Sequence, residues 1–300
     1  MNTKSKKNVI AGLLLLVCMI ACIAIATAIM PTVVYAESAS PYLQVTCGSI
    51  DKSGAGWTWD TDESYNGTLT LNGYDGEEIA IGGVDNGKVD IVLVGDNKIT
   101  VTAPYGNRAI HTYNVSTLTF KGNGSLTIDY QVVASNRVNM HGILMEGEGS
   151  SKNNGNLTFD ESCTVTVKVY GEVAAKNGSV DAIYMKTDDI GSGNVTVGEN
   201  ATLNIDLKCD KDYQTYGIFA KGSIALNGTV DIKMEYTGSG STYDTWRDVN
   251  TSSSYTACSI GKNANVTSVC PGSNGSSLTA FPLVANGAEK ISSWTYIGSS

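Results

Sequence analysis

Arginine is nearly missing from this chain. Only Arg108, Arg137 and Arg247 occur in 300 residues, and histidine is confined to His111 and His141. Charged residues make up only 16%, and beyond residue 36 the chain carries 17 basic groups against 29 acidic ones. Nucleic acids are bound by clustered basic charge, and anionic membrane surfaces by polybasic segments. The composition argues against both. Cysteine is sparse too. Cys47, Cys163, Cys209, Cys258 and Cys270 follow the N-terminal region, an odd number without metal-ligand spacing. At that density a disulfide scaffold is disfavoured and buried thiols are expected, with Cys258 and Cys270 the only pair close enough in sequence to suggest a bridge. Proline is low at 5 residues, while glycine is high at 33 and hydrophobics reach 42%, enough for a core. The Thr, Val, Ile, Gly and Asn content disfavours a helical protein.

Residues 1–36 read as a secretory signal peptide. Lys4, Lys6 and Lys7 form a positive start, Val9 to Met30 an apolar run, and Val34-Tyr35-Ala36 a processing site. The competing reading is an uncleaved N-terminal membrane anchor, since a run of about 22 residues is long enough to span a bilayer. Secreted or surface-held placement follows from the first reading.

The remainder is organised by a repeat. Ile91, Leu118, Leu157, Val195 and Ile224 recur in similar short alternating segments, at spacings of 27, 39, 38 and 29 residues. Period-two alternation marks half-buried strands, and repetition at this scale marks a solenoid or propeller. A second strand follows in each unit after a turn carrying Asp96, Asn123, Ser162, Asn200 or Asn227. These turns are expected to share one type, with polar side chains stacked in a ladder. A third strand contains Ile110, Ile143, Ile183 and Ile218. Three short strands per unit predict an all-β chain, a right-handed parallel β-helix (β-solenoid) of about five to seven coils with end caps. Right-handedness is taken from the general preference of parallel crossovers. The boundaries are a leader at 1–36, an N-terminal cap region at 37–66, the helix at 67–270 and a C-terminal cap at 271–300.

Gly67-Thr-Leu-Thr-Leu-Asn-Gly-Tyr-Asp75, Asp90-Ile-Val-Leu-Val-Gly-Asp-Asn-Lys-Ile-Thr100 and Gly124-Ser-Leu-Thr-Ile128 resemble a family of secreted clostridial β-helical proteins. That family is a carbohydrate-binding domain within the pectate-lyase-like superfamily. The resemblance covers roughly residues 60–270 and rests on repeat-fold motifs, so it specifies architecture better than ligand. It implies binding of polysaccharide, including cellulose and pectic acid, often with bound calcium. It transfers no site residue.

Candidate binding residues come from the alternation itself. If the third-strand isoleucines point inward, His111, Leu144, Tyr184 and Phe219 point outward. Small neighbours, Ala109, Gly142, Ala182 and Gly217, would leave a ledge on which aromatic rings meet sugar faces. The longer connections before that face, Tyr130–Met140, Tyr170–Val180, Cys209–Thr215 and Tyr236–Ser254, add Tyr213, Tyr243, Trp246 and Arg247, where rings stack on sugars and Arg holds uronate carboxylates. For calcium, Glu148 and Asp188 each lie five residues past an inward isoleucine, with Asp189 adjacent. Stacked coils would bring these carboxylates together, and a cation would relieve their repulsion.

Catalysis is the weakest expectation. A β-helical lyase needs a cation-activated uronate and a Lys or Arg base. The β-helical pectin hydrolases need clustered carboxylates with Gly-His-Gly and Arg-Ile-Lys elements. Asp188-Asp189 stands without them. The expected function is non-catalytic polysaccharide binding on cellulose or pectic-type glycans, with calcium assistance as an option. A surface stalk or adhesin is the alternative, and a lyase or hydrolase the third.

Overall fold

The computed structural model describes residues 42–83, 87–102, 108–134, 139–147, 155–173, 179–186, 193–209, 215–220, 222–236, 246–251, 258–260, 264–270 and 293–298. These residues form strands and turns, with no helix among them. Three sheets of nine, eight and seven strands are visited in rotation. The first contains Gly67–Asn72, Lys88–Val94, Thr117–Gly122, Asn156–Phe159, Asn194–Val197 and Ile224–Leu226. The second contains Asp96–Val101, Ser125–Ala134, Thr164–Val173, Thr202–Cys209 and Thr229–Tyr236. The third contains Leu43–Thr46, Ile79–Gly82, Arg108–Tyr113, Met140–Glu146, Val180–Lys186, Thr215–Ala220 and Trp246–Thr251. Strands of successive turns pair in parallel, the pattern of a β-solenoid.

The exception is at the start of the first sheet. Lys52–Gly54 and Trp57–Thr61 form an antiparallel hairpin that pairs antiparallel with Gly67–Asn72. Trp59 is fully buried, and its ring occupies the space that a Cβ on Gly67 would need. That hairpin covers what would otherwise be an open row of backbone donors and acceptors.

Each sheet sends alternate side chains into one shared core. Leu118, Leu157, Val195 and Ile224 stand in one buried column, as the repeat predicts. The preceding coil differs. Leu118 pairs with Val89, and Ile91 pairs with Phe120. In the second sheet Thr127 likewise pairs with Lys98 rather than Thr100. A shift of two residues preserves inside and outside, so alternation cannot detect it. The observed register places Lys121 Nζ 2.7 Å from Asp90 Oδ2. It also brings Asn97 into the core column beneath Leu126. The cost of burying that amide is offset because Oδ1 accepts from Tyr74 N–H at 2.9 Å and Nδ2 donates to the Ser125 carbonyl at 3.0 Å.

The expected uniform turn is formed in part. Left-handed backbone falls on Gly95, Gly122 and Glu161, each two residues after Leu93, Phe120 or Phe159, rather than on Asp96, Asn123 or Ser162, and the corners at Asn200 and Asn227 lack it. What repeats through all of these corners is small size. The backbone ladder runs through Gly95, Gly124, Cys163 and Ala201. A Cβ on Gly124 would lie 2.5 Å from the Gly95 carbonyl oxygen. Cys163 is a buried thiol whose pKa is pushed up to about 11 by burial, and Cys47 is buried as well.

Phe120 and Phe159 stack in the core with centroids 5.2 Å apart and planes within 9°. Replacing Phe159 by Ala is expected to destabilise the fold by about 3–5 kcal/mol, read as a lower denaturant midpoint in equilibrium unfolding.

Candidate functional site

The outer face of the third sheet gathers the chemistry. Strict alternation should make the residue two before each inward isoleucine point inward as well. It does not, because in these four strands the pairing skips the intervening small residue. Pairing passes from His141↔Asp181 to Ile143↔Ile183 without a bridge at Gly142 and Ala182. The same gap recurs at Ala109 and at Gly217. Gly142 faces inward, where a Cβ would meet Val167 Cγ1 at 2.4 Å. Ala109 and Ala182 are fully buried. These small residues are therefore not the low walls of a ledge. They let the backbone bend, and side chains on either side of the bend meet over it. Tyr216 and Phe219 come within 4.9 Å, centroid to centroid.

The expected column exists: His111, Leu144, Tyr184 and Phe219 are register partners in successive strands. Its members differ in access. Leu144 and His111 are only 3% and 7% exposed, which removes them from a contact surface. Tyr184 and Phe219 are half-buried and stack at 4.8 Å with planes 14° apart. His141 stacks on the other side of Tyr184 at 5.0 Å. A band of four rings results, in which Tyr184 and Phe219 reach the surface while His141 and Tyr216, each 5% exposed, lie beneath it.

A second column was missed in the sequence. Arg108, His141, Asp181, Tyr216 and Arg247 hold one register position. The signal was available as polar or aromatic residues two places before Ile110, Ile143, Ile183 and Ile218. The alternation rule hid it by assigning that offset to the interior.

Two charged groups come from this column. At one end Arg108 Nε lies 3.4 Å from Glu78 Oε1, and its Nη1 lies 3.6 Å from Glu146 Oε2. His111 Nε2 lies 2.9 Å from the same Glu146 oxygen, so this nitrogen carries the proton that the carboxylate accepts. Burial, and then the nearby Arg108 charge, push the His111 pKa down despite Glu146. Burial pushes Glu78 up, with Arg108 opposing. Further along, Asp181 is completely buried. Its Oδ1 accepts from Tyr216 N–H at 2.9 Å, and its Oδ2 lies 3.0 Å from His141 Nδ1. That last contact falls short of hydrogen-bond alignment, and neither atom has another hydrogen-bond partner. Burial drives the Asp181 pKa up, with His141, Ser179 and the Tyr216 N–H pulling it back.

The remaining expected residues divide as follows. Trp246 and Arg247 lie in a strand, Trp246–Thr251, rather than in a loop, and are register partners of Thr215 and Tyr216. Tyr130 is likewise in a strand, with its side chain fully buried. Tyr213, Tyr243, Glu148, Asp188 and Asp189 lie outside the described residues. Among the described residues no group of three His, Cys, Asp or Glu side chains is arranged to hold a metal ion. No helix among them is long and apolar enough to cross a membrane. In comparisons with known proteins, no family model, no curated protein and no solved structure matches this chain.

Arg108→Gln should leave Glu78 buried without its cation and move its pKa further above the unfolded value. A carboxyl raised in the fold is most favourable when protonated, so the deficit should grow as pH rises through that value and vanish in acid. The expected loss is about 1 kcal/mol at neutral pH, given partial exposure. Urea unfolding of both proteins near neutrality and near pH ~4 checks it; an equal deficit at both would contradict it.

Proposed function

We propose that the protein is a non-catalytic polysaccharide binder, exported by its N-terminal segment and either released or held at the cell surface. In this reading the strands wind as a right-handed parallel β-helix of about five to seven coils. Membership of the clostridial carbohydrate-binding group fits the repeat motifs. The observation that carries the proposal is the Tyr184–Phe219 stack, partly accessible on a sheet whose other face is close-packed core. A pyranose ring presents axial C–H groups that pack on aromatic faces. Two stacked rings on a rigid support lose little entropy on binding.

The ligand would be a cellulose-like or pectic-type glycan. On a pectic glycan, Arg247, the register partner of Tyr216, and the adjacent Trp246 would extend the platform. Tyr213 and Tyr243 would contribute from the neighbouring connections. Calcium held by Glu148, Asp188 and Asp189 together with uronate oxygens would bridge acidic glycans.

A surface spacer or adhesin is the second reading, and the outer face of the second sheet favours it. Asp129, Lys168, Asp206 and Lys233 stand in one register column, so charges alternate in sign from coil to coil. Such an alternation avoids like-charge repulsion between coils without calling on a ligand. A lyase or hydrolase is the third reading.

Retention of residues 37–300 on insoluble cellulose and on pectic acid gel, each with calcium and with chelator, separates the readings. Tyr184→Ala and Phe219→Ala should each weaken retention about tenfold, about 1.4 kcal/mol, with the unfolding midpoint changed far less than by a core substitution. Chelator-sensitive retention on pectic acid would add the calcium bridge. No retention on either matrix would favour the spacer.

A further inference from the structure

The ring platform is tied to a buried acid–base pair that none of the readings above uses. His141, Asp181 and Tyr216 come from three successive strands of the third sheet and are register partners. His141 stacks against Tyr184, while Asp181 accepts the backbone N–H of Tyr216. Tyr184 and Tyr216 in turn lie 6.4 Å apart, and both contact Phe219. Each member of the pair therefore touches a different side of the platform. The Nδ1–Oδ2 contact at 3.0 Å is the only link between them, and it is poorly aligned.

We propose that His141 and Asp181 are positioning residues for the Tyr184–Phe219–Tyr216 platform, and that proton uptake by Asp181 changes the ring arrangement and with it glycan retention. This rests on the polysaccharide-binding reading. While Asp181 is ionised, its charge holds the imidazole and the Tyr216 amide at once. Protonated, it keeps at most neutral hydrogen bonds, and its electrostatic hold on the imidazole is lost. The imidazole would then turn against the Tyr184 ring or away from it. Both movements shift the platform.

Among the described residues the charged and titratable surroundings are few. On the pair's own strands stand Glu146, its register partner Lys186, and Tyr184, with the Ser179 side chain hydrogen-bonded to Asp181. The strand before contributes Arg108 and His111, which are engaged with Glu78 and Glu146. The strand after contributes Tyr216, and Arg247 holds the next register position. Glu146 already has two cationic or hydrogen-bonding partners, so Asp181 is the carboxylate that depends on His141.

The direction of the effect is testable. Burial raises Asp181, and His141 lowers it. The tyrosine near-ultraviolet circular dichroism of the full mature chain should therefore change, as pH falls, at a value above the ordinary aspartate pKa of about 3.9. The far-ultraviolet signal of the sheets should stay constant through that change. Asp181→Asn keeps an oxygen for the Tyr216 amide and should abolish the transition. His141→Gln should move it to higher pH, a shift that a purely structural role does not produce. Retention of wild type on microcrystalline cellulose should fall about tenfold across the same transition and stay level in Asp181→Asn.

An optical transition that persists in Asp181→Asn overturns the proposal, as does one that does not move in His141→Gln. Cellulose retention unchanged across a genuine optical transition overturns the coupling to binding. If wild type is not retained at any pH while the optical transitions behave as stated, the positioning pair stands and the glycan reading is what fails.

Discussion

Parallel stacking places equivalent residues of successive coils about 4.8 Å apart, so every column must be compatible with its own repetition. Interior columns meet this with apolar side chains, and Phe120 on Phe159 is the largest such match. The corner between the first and second sheets meets it with Gly95, Gly124, Cys163 and Ala201, because backbone from adjacent coils runs too close for more. On the outside, repetition of a charge is unfavourable, and the second sheet alternates acid with base instead. The same demand governs the third sheet, where the column Arg108, His141, Asp181, Tyr216 never repeats a charge of one sign unrelieved.

That third column exists only because of the bend. With an ordinary pleat, His141 and Asp181 would enter the core beside Ile143 and Ile183, and a buried ionisable pair among aliphatic side chains would carry a large desolvation cost. The break at Ala109, Gly142, Ala182 and Gly217 turns them outward while admitting a small residue to the interior. Small residues thus have a different part from the one their sequence suggests. They do not clear space above the rings; they make room beneath them.

The fold was readable where chemistry and geometry share a period. The column from Leu118 to Ile224 followed directly from alternation, as did the outward set His111, Leu144, Tyr184, Phe219. Register in the early coil was not readable, since Val89, Ile91 and Leu93 are interchangeable under a two-residue shift and only Asp90, Lys121 and Asn97 distinguish the alternatives. Exposure was not readable either. His111 and Leu144 face outward yet are covered, because Arg108 and Glu146 close over the histidine, and no one-dimensional pattern records that closure. The offset shared by His141 and Asp181 was visible as a pattern but contradicted the period assumed for a strand.

The stacked rings are held stiffly along the solenoid and less so across it. Stiffness comes from the ladder: Tyr184 and Phe219 are fixed at the spacing of paired backbones, and that spacing cannot change without unpairing the sheet. Across the ladder the constraint is weaker, since beyond their own backbones the rings over the bend are held by ring contacts and by the Asp181 carboxylate on the Tyr216 N–H. Of those contacts, ring stacking is nearly indifferent to sliding, whereas the tie through Asp181 fixes where Tyr216 sits relative to His141. A lateral setting that depends on one buried carboxylate is the softest element in an otherwise rigid surface. Its energy also depends on the state of a single proton, because burial disfavours the charged form of Asp181. Rigidity of the scaffold is what makes that local change consequential: the sheet does not yield, so the rings must.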